Sequence, residues 1–230
     1  RKTIKFEHRH PAFGFGKMDS TYARSNSDEN YARGKAILER LKAGIKMASD
    51  VPGWCDYKAF YSAVAKAIPD GGTFVEIGSW MGQSIIHFCH EIQNLGKTVK
   101  ITCVDTFQGE LNQPAHVAIV DSHGGSILDE FKRNITDAKV DHMIEIVQGD
   151  SAESASLFDD ESFDVIFIDA AHDYDSVVKD VAAWKSKAKP NGIFSGHDYP
   201  CDDVKQAVDE YAAEDGCTIN SIGRVWIKAN

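Results

Sequence analysis

Apolar and polar positions along this 230-residue chain follow two periods, and the switches between them mark out the elements. Residues 33–48 set Ile37, Leu38, Leu41, Ile45 and Met47 near one face of a helical wheel, which predicts a helix. A second helix is predicted over 56–67, ended by Pro69-Asp70-Gly71-Gly72. From residue 73 onward, short apolar runs alternate with helical patterns. They predict strands at 73–77, 100–104, 143–147, 163–168 and 192–195, and helices at 82–94, 126–137, 152–158, 174–188 and 202–214. Gly96 caps the first of these helices, and Pro190-Asn191-Gly192 stops the fourth. Two final strands, 218–222 and 225–228, lie too close together for a helical crossover. They form a hairpin, so one of the two runs antiparallel. Residues 106–125, rich in Gln, Asn, His and Gly, show no regular period. Residues 1–30 show none either, and Asp19, Ser20, Ser25, Ser27 and Asp28 indicate loop.

Short strands alternating with helices predict an α/β fold with a parallel sheet covered on both faces. Right-handed crossovers make that sheet doubly wound and put ligands at the C-terminal ends of its strands. The predicted organisation is an N-terminal arm and helix over 1–50, a lid or an oligomer contact, followed by one domain over 51–230.

Composition narrows the function classes. The hydrophobic share of 43% is that of a globular protein with a sizeable core. A formal charge of −10 argues against a general nucleic-acid or anionic-membrane binder, and only residues 1–10 are locally basic. No apolar run reaches the about 18–20 residues of a membrane span. Five cysteines (Cys55, Cys89, Cys103, Cys201, Cys217) carry no paired motif, and Cys89 and Cys103 sit in apolar runs. A reduced, cytoplasmic compartment without a leader peptide is expected. The chain begins at Arg1 rather than Met, as a trimmed or partial sequence would.

The candidate chemistry starts at Thr73-Phe74-Val75-Glu76-Ile77-Gly78-Ser79-Trp80-Met81-Gly82-Gln83-Ser84, a strand that runs through a glycine turn into a helix. The dinucleotide fingerprint G-x-G-x-x-G seats a pyrophosphate at such a helix N-terminus. Here Glu76 stands at the first glycine position and the pattern is E-x-G-x-x-x-G. A carboxylate beside the turn repels a diphosphate and suits a ligand with amine and hydroxyl donors. S-adenosylmethionine, with an ammonium, a sulfonium, a ribose diol and no phosphate, is such a ligand. Asp105 ends the second strand, where an acidic residue can accept ribose hydroxyls. Gln148-Gly149-Asp150-Ser151 follows the third strand, and Asp150 or Ser151 can also cap the next helix. Phe163–Ile168 carries Asp169 to the lip of the sheet, with His172 three positions on. Gly196-His197-Asp198-Tyr199 puts a His-Asp pair at the end of the next strand, so Asp169, His172, His197 and Asp198 can converge.

These segments resemble the class I S-adenosylmethionine-dependent methyltransferases. The resemblance is to their small-molecule and sugar O-methyltransferase branch, which includes macrolide-sugar methyltransferases and relatives from cephalosporin biosynthesis. It runs from about Val51 to Tyr199, with Pro52-Gly53-Trp54 as lead-in, and is thin over 1–50 and 106–125. It implies a Rossmann-like sheet of seven strands, mostly parallel, with the last one reversed. It implies a cofactor site at Glu76, Gly78, Ser79, Gly82, Ser84, Asp105, Thr106, Asp150, Ser151 and Asp169, with Gln148 to Ser151 facing the adenine. In metal-dependent members an aspartate after strand four and an acidic pair after strand five hold a divalent ion. By position these are Asp169, His197 and Asp198, with His-Asp where the family often has Glu-Asp. A hard oxygen set suits Mg²⁺, an imidazole shifts preference towards Mn²⁺ or another transition ion, and the alternative is a site without metal in which His197 and Asp198 cap the strand. Cys201 lies close, but one cysteine without a paired ligand motif does not make a zinc site.

The catalytic residues expected are His172 and Asp169. An imidazole with a pKa near about 6.5 would take the acceptor's hydroxyl proton at neutral pH. The expected activity is methyl transfer to a hydroxyl of a small molecule or sugar, with His116 and His123 bordering the substrate and His87 and His90 packed or at the surface. A homo-oligomer is compatible with this reading. The alternatives are an NAD-dependent oxidoreductase, which Glu76 disfavours, and a binding protein without catalysis, which Asp169, His172 and Asp198 disfavour. RNA-cap methylation lacks the basic track it needs.

Overall fold

The computed structural model describes residues 20–110 and 112–229. Its core is one seven-stranded sheet: β1 (Thr73–Ile77), β2 (Lys100–Asp105), β3 (Ile144–Gln148), β4 (Phe163–Ile168), β5 (Ala188–Gly196), β6 (Thr218–Ile222) and β7 (Val225–Ala229). The spatial order is β3-β2-β1-β4-β5-β7-β6. β1 to β5 pair in parallel, whereas β7 runs antiparallel to both β5 and β6. The sheet is therefore Rossmann-like and doubly wound with a reversed last strand, and the hairpin geometry explains the reversal.

The helices are α1 (Ser20–Lys42), α2 (Lys58–Ala67), α3 (Gln83–Asn94), α4 (Pro114–Ser122), α5 (Leu128–Asp137), α6 (Ser151–Ser154), α7 (Tyr174–Trp184) and α8 (Asp202–Asp215). Strand residues alternate between two cores. On β1 and β4, Phe74, Val165 and Phe167 pack with α2, α3 and α5. Val75, Ile77, Ile166 and Ile168 pack with α7 and α8 on the other face. Glu76 shares its face with Phe74, so β1 aims its carboxylate into the first core. No helix among the described residues is long and apolar enough to cross a membrane.

Three expectations are corrected. Residues 20–32 are helical rather than loop, and α1 ends at Lys42 instead of reaching 48. Its inner side is tied to the domain by ion pairs from Glu29 to Lys66 and from Arg33 to Glu91, both 2.8 Å long, partners that lie 37 and 58 residues away and leave no local signal. The aperiodic stretch 106–125 contains α4, which starts with Pro114 in its first turn, where the missing N–H costs nothing. β5 begins at Ala188 and runs through Pro190-Asn191-Gly192. Its register jumps from Phe163↔Ala188 to Val165↔Ile193, so the proline lies in a bulge and removes no ladder hydrogen bond. The arm expected over residues 1–19 lies outside the described residues.

Candidate active site

The strand ends converge on a cleft of about 970 Å³. Its floor is the turn after β1. Gly78 has φ +86°, and a Cβ there would lie 2.0 Å from the carbonyl oxygen of Asp169. This glycine is required by the approach of β4's own backbone as well as by any ligand. Trp80 follows with φ 49°, a strained value for a bulky side chain. Asp105 holds the turn in place. Its Oδ2 accepts hydrogen bonds from the backbone N–H groups of Ser79 and Trp80, each 2.8 Å, and its Oδ1 accepts from Phe107 N–H at 2.6 Å. Burial raises the Asp105 pKa, and these three bonds pull it back towards ionisation. Asp105 thus braces the turn, a task its position in the sequence did not announce, while it still lines the cleft.

Gly78, Ser79, Ser84, Asp105, Thr106, Asp150, Ser151 and Asp169 all line the cleft as expected. Glu76 and Gly82 are not among its lining residues. Glu76 is fully buried beneath the turn, and its Oε1 accepts a 2.7 Å hydrogen bond from the Tyr61 hydroxyl. Burial pushes its pKa up to about 7 against the pull of neighbouring hydroxyls, the bonded Tyr61 among them. Its second oxygen, like Ser79 Oγ, finds no hydrogen-bond partner among the described residues. Gly82 caps α3 with φ +93° and faces inward, where a Cβ would lie 3.2 Å from the Phe131 ring. Its role is to let α5 pack close to α3. Asp150 caps α6, accepting from Glu153 N–H at 3.0 Å, so the capping role holds alongside its place in the cleft.

The other end of the cleft is a charged cluster. His172 donates from Nδ1 to Glu110 Oε2 at 3.0 Å and from Nε2 to Asp198 Oδ2 at 2.7 Å. The bonds to Asp198 and then Glu110, working against burial, push the imidazole up to about 9. His172 is therefore an imidazolium at neutral pH, and the expected ordinary pKa does not hold. His197 donates from Nδ1 to Asp198 Oδ2 at 3.0 Å and from Nε2 to Asp56 Oδ1 at 2.8 Å. Burial opposes its protonation, but Asp169 and Asp198 raise it to about 10. Burial also resists ionisation of Asp198. His172, His197 and Arg224 nevertheless hold its carboxyl far below the usual range. Tyr57 donates to Asp169 Oδ2 at 2.8 Å and fixes that carboxylate at the junction of the two halves.

Of the metal set expected, Asp169, His197 and Asp198, two residues fall in the ligand group that the geometry brings together among the described residues. Asp169, His172 and Asp198 each offer one ligand atom, all within 4.8 Å of one another. His197 lies beside the group, with Nδ1 3.5 Å from Asp169 Oδ1 and 3.0 Å from Asp198 Oδ2. Two carboxylates and one imidazole fit a divalent ion once the His172 Nε2 proton is displaced, since a ligating nitrogen must be deprotonated.

Several cleft residues carried no signal in the sequence. Glu110 lies in the stretch read only as irregular, Asp56 and Tyr57 precede α2, Asp180 is on α7, and Arg224 lies in the β6–β7 turn. Asp180 is buried and raised to about 6, with the Ser151 hydroxyl donating to it. Trp54 stands 65% exposed at the mouth, with ring centroids 5.3 Å from His116 and 6.1 Å from Trp80. His116 lines the cleft as expected, whereas His123 is not among the lining residues and is bonded to Ile119 O of its own helix. His90, bonded to Ala138 O, is lowered to about 4 by burial and is a packed residue, as expected.

A family model described as a methyltransferase domain matches residues 75–199. Solved structures share the fold at low identity. The O-methyltransferase NovP is 19% identical with a TM-score of 0.56, over 74% of this chain and 76% of its own. Cofactor-bound Rv0187 from MTB is 15% identical with a TM-score of 0.57, over 93% and 98%. A Corynebacterium glutamicum protein is 14% identical with a TM-score of 0.56, over 91% and 95%. No curated protein sequence matches significantly.

Proposed function

Because this chain belongs to the methyltransferase-domain family, we propose that it moves a methyl group from S-adenosylmethionine to a hydroxyl of a small molecule or sugar, with a divalent ion at the acceptor end. The observation that carries this reading is the single cleft that runs from Asp105 and Asp150, past Gly78 and Asp169, to His172 and Asp198. One half offers carboxylates and backbone to a ligand rich in amine and hydroxyl donors. The other half offers an ion-binding set. The junction between them, at Asp169, is where a methyl group would pass.

S-adenosylmethionine supplies an electrophilic methyl on a sulfonium. The chain's part is to seat it. Asp105 keeps the glycine turn rigid, Asp150 and Ser151 border the far end, and the buried Glu76 adds negative potential beneath the turn as it ionises through about pH 7. The glycine turn itself carries no cation and is braced by the Asp105 carboxylate, which disfavours a diphosphate such as NAD at that end.

At the acceptor end, Asp169, His172 and Asp198 are the residues that would hold a divalent ion. Such an ion lowers the pKa of a hydroxyl that touches it, which removes the need for a side-chain base of ordinary pKa. Glu110 keeps the His172 ring oriented through Nδ1, leaving Nε2 turned to the ion set. Tyr57 and His197 orient Asp169 and Asp198 in the same way. Trp54, Trp80 and His116 form an aromatic wall against which the acceptor's ring would lie.

Calorimetry with S-adenosylhomocysteine and NAD tests the donor. Tighter binding of NAD overturns the assignment. Exhaustive chelation should abolish turnover and Mg²⁺ or Mn²⁺ should restore it, while S-adenosylhomocysteine still binds to the chelated protein. Full turnover after chelation removes the ion from the reading. Trp54→Ala should raise the acceptor KM and leave S-adenosylhomocysteine affinity unchanged.

A further inference from the structure

The far end of the cleft holds a buried carboxylate that neither the glycine turn nor the ion set uses. Asp180 sits on α7, the helix that follows β4, and is only 4% exposed. Ser176, Lys179 and Asp180 share one face of that helix and line the cleft beside Gly149, Asp150 and Ser151. α7 grips Ser151 at two points. The Asp180 carboxylate takes its hydroxyl, and one turn further on the Trp184 indole N–H donates to its carbonyl oxygen at 3.0 Å. The carboxylate is thereby held against the segment that follows β3.

That carboxylate is short of donors. Oδ1 accepts from the Ser151 hydroxyl, whereas Oδ2 has no hydrogen-bond partner among the described residues. A buried carboxylate ordinarily has its lone pairs matched by donors. Burial lifts its pKa to about 6, with the Ser151 hydroxyl the main opposing pull and Lys179 a smaller one. The group is therefore ionised at neutral pH and can only accept. Oδ2 is not sealed in the core as the second oxygen of Glu76 is, so its open side is the cleft. Asp150, the other carboxylate at this end, already uses Oδ1 to cap α6. What this end of the cleft lacks is a ligand that brings N–H donors.

We propose that Asp180 selects the purine of the methyl donor, accepting a hydrogen bond from its 6-amino group through Oδ2. With S-adenosylmethionine as donor, the reading on which this assignment rests, the purine is adenine. Adenine carries two N–H donors at position 6, whereas hypoxanthine presents an acceptor oxygen there, which a carboxylate repels. A site that ends in a buried acceptor rejects an analogue without the matching donor, because the acceptor is then left unpaired. Ser151 is the positioning residue: it occupies Oδ1 and leaves Oδ2 to the ligand.

Calorimetry on the full chain with S-adenosylhomocysteine and with its 6-deaminated analogue, S-inosylhomocysteine, tests it. The wild type should bind the adenosyl ligand about 10- to 100-fold more tightly, the worth of a hydrogen bond to a charged group. In Asp180→Ala the adenosyl ligand should lose most of that margin while the inosyl ligand keeps its affinity, so that the two bind nearly alike. Asp180→Asn is the second variant, since it keeps the size of the side chain and the bond from Ser151. Its amide N–H groups then face the cleft, and the preference should move towards the inosyl ligand. A wild type that binds both ligands equally overturns the proposal, as does a margin that survives in Asp180→Asn. A variant that weakens both ligands by the same factor also overturns it, for Asp180 then only holds Ser151 in place. Failure of the donor reading looks different: the wild type would bind neither ligand, or would bind NAD more tightly, and the proposal would fall with it.

Discussion

Replacing Asp198 with Asn would expose how the charged half of the cleft is held together. The position has φ +56°, which Asn tolerates, so the change removes charge without straining the backbone. Asp198 receives His172 at 2.7 Å, His197 at 3.0 Å and Arg224 Nε at 3.1 Å. In the native protein His172 is raised from 6.5 to about 9, with Asp198 the largest cause and Glu110 the next. That rise corresponds to about 3 kcal/mol. Without that largest cause, the variant's His172 should titrate clearly below about 9, back towards the ordinary imidazole range. The sign follows from linkage. A histidine pKa raised on folding adds stability that is complete below pH 6.5 and is lost as pH climbs through about 9 for His172 and about 10 for His197. The gap in stability between wild type and Asp198→Asn should therefore be largest near pH 6 and clearly smaller by pH 10, where His172 is mostly neutral, His197 about half so, and Arg224 still favours the charge. NMR titration of the imidazole ring protons gives the pKa values, and urea unfolding at the two pH values gives the stability. A His172 pKa unmoved from about 9 in the variant, or a stability gap that does not change with pH, would refute this account.

Three further outcomes follow from the cleft. Gly78→Ala should cost more than about 3 kcal/mol of stability or prevent folding, since its Cβ meets the Asp169 carbonyl at 2.0 Å with φ at +86°; near-native urea stability would contradict the close approach. Glu76, raised to about 7 by burial, withdraws about 3 kcal/mol of stability as pH rises from 4.5 to above 7; Glu76→Gln should flatten that slope, and an unchanged pH profile would place the titration elsewhere. Asp105→Ala frees three backbone N–H groups of the turn and its flank, so calorimetry should show S-adenosylhomocysteine binding weakened by about 1.5 to 3 kcal/mol. Unchanged affinity would mean the turn holds its shape without that brace.

Periodicity and punctuation alone set out much of this molecule. The spans of β1 and β4, the hairpin of β6 and β7, and the carboxylates at the strand ends can all be read locally, because strand, turn and helix preferences act over a few residues. The match to a methyltransferase domain over 75–199 falls on those same segments. Local signals ran out where partners come from far along the chain. His172 owes its protonation first to Asp198, 26 residues later, and then to Glu110, 62 residues earlier, and His197 is engaged by Asp56, 141 residues earlier. No spacing rule links such pairs, and a pKa depends on what surrounds a group, not on its neighbours in sequence. Glu76 was legible as a carboxylate beside a glycine turn, but β1 is buried on both faces, and only its packing against Tyr61 shows that the carboxylate points into the core and not at the cleft. The sequence thus determined which groups reach the lip of the sheet. The tertiary structure decided which of them are charged, which face the cleft and which hold others in place, because burial and pairing are properties of contacts that only folding creates.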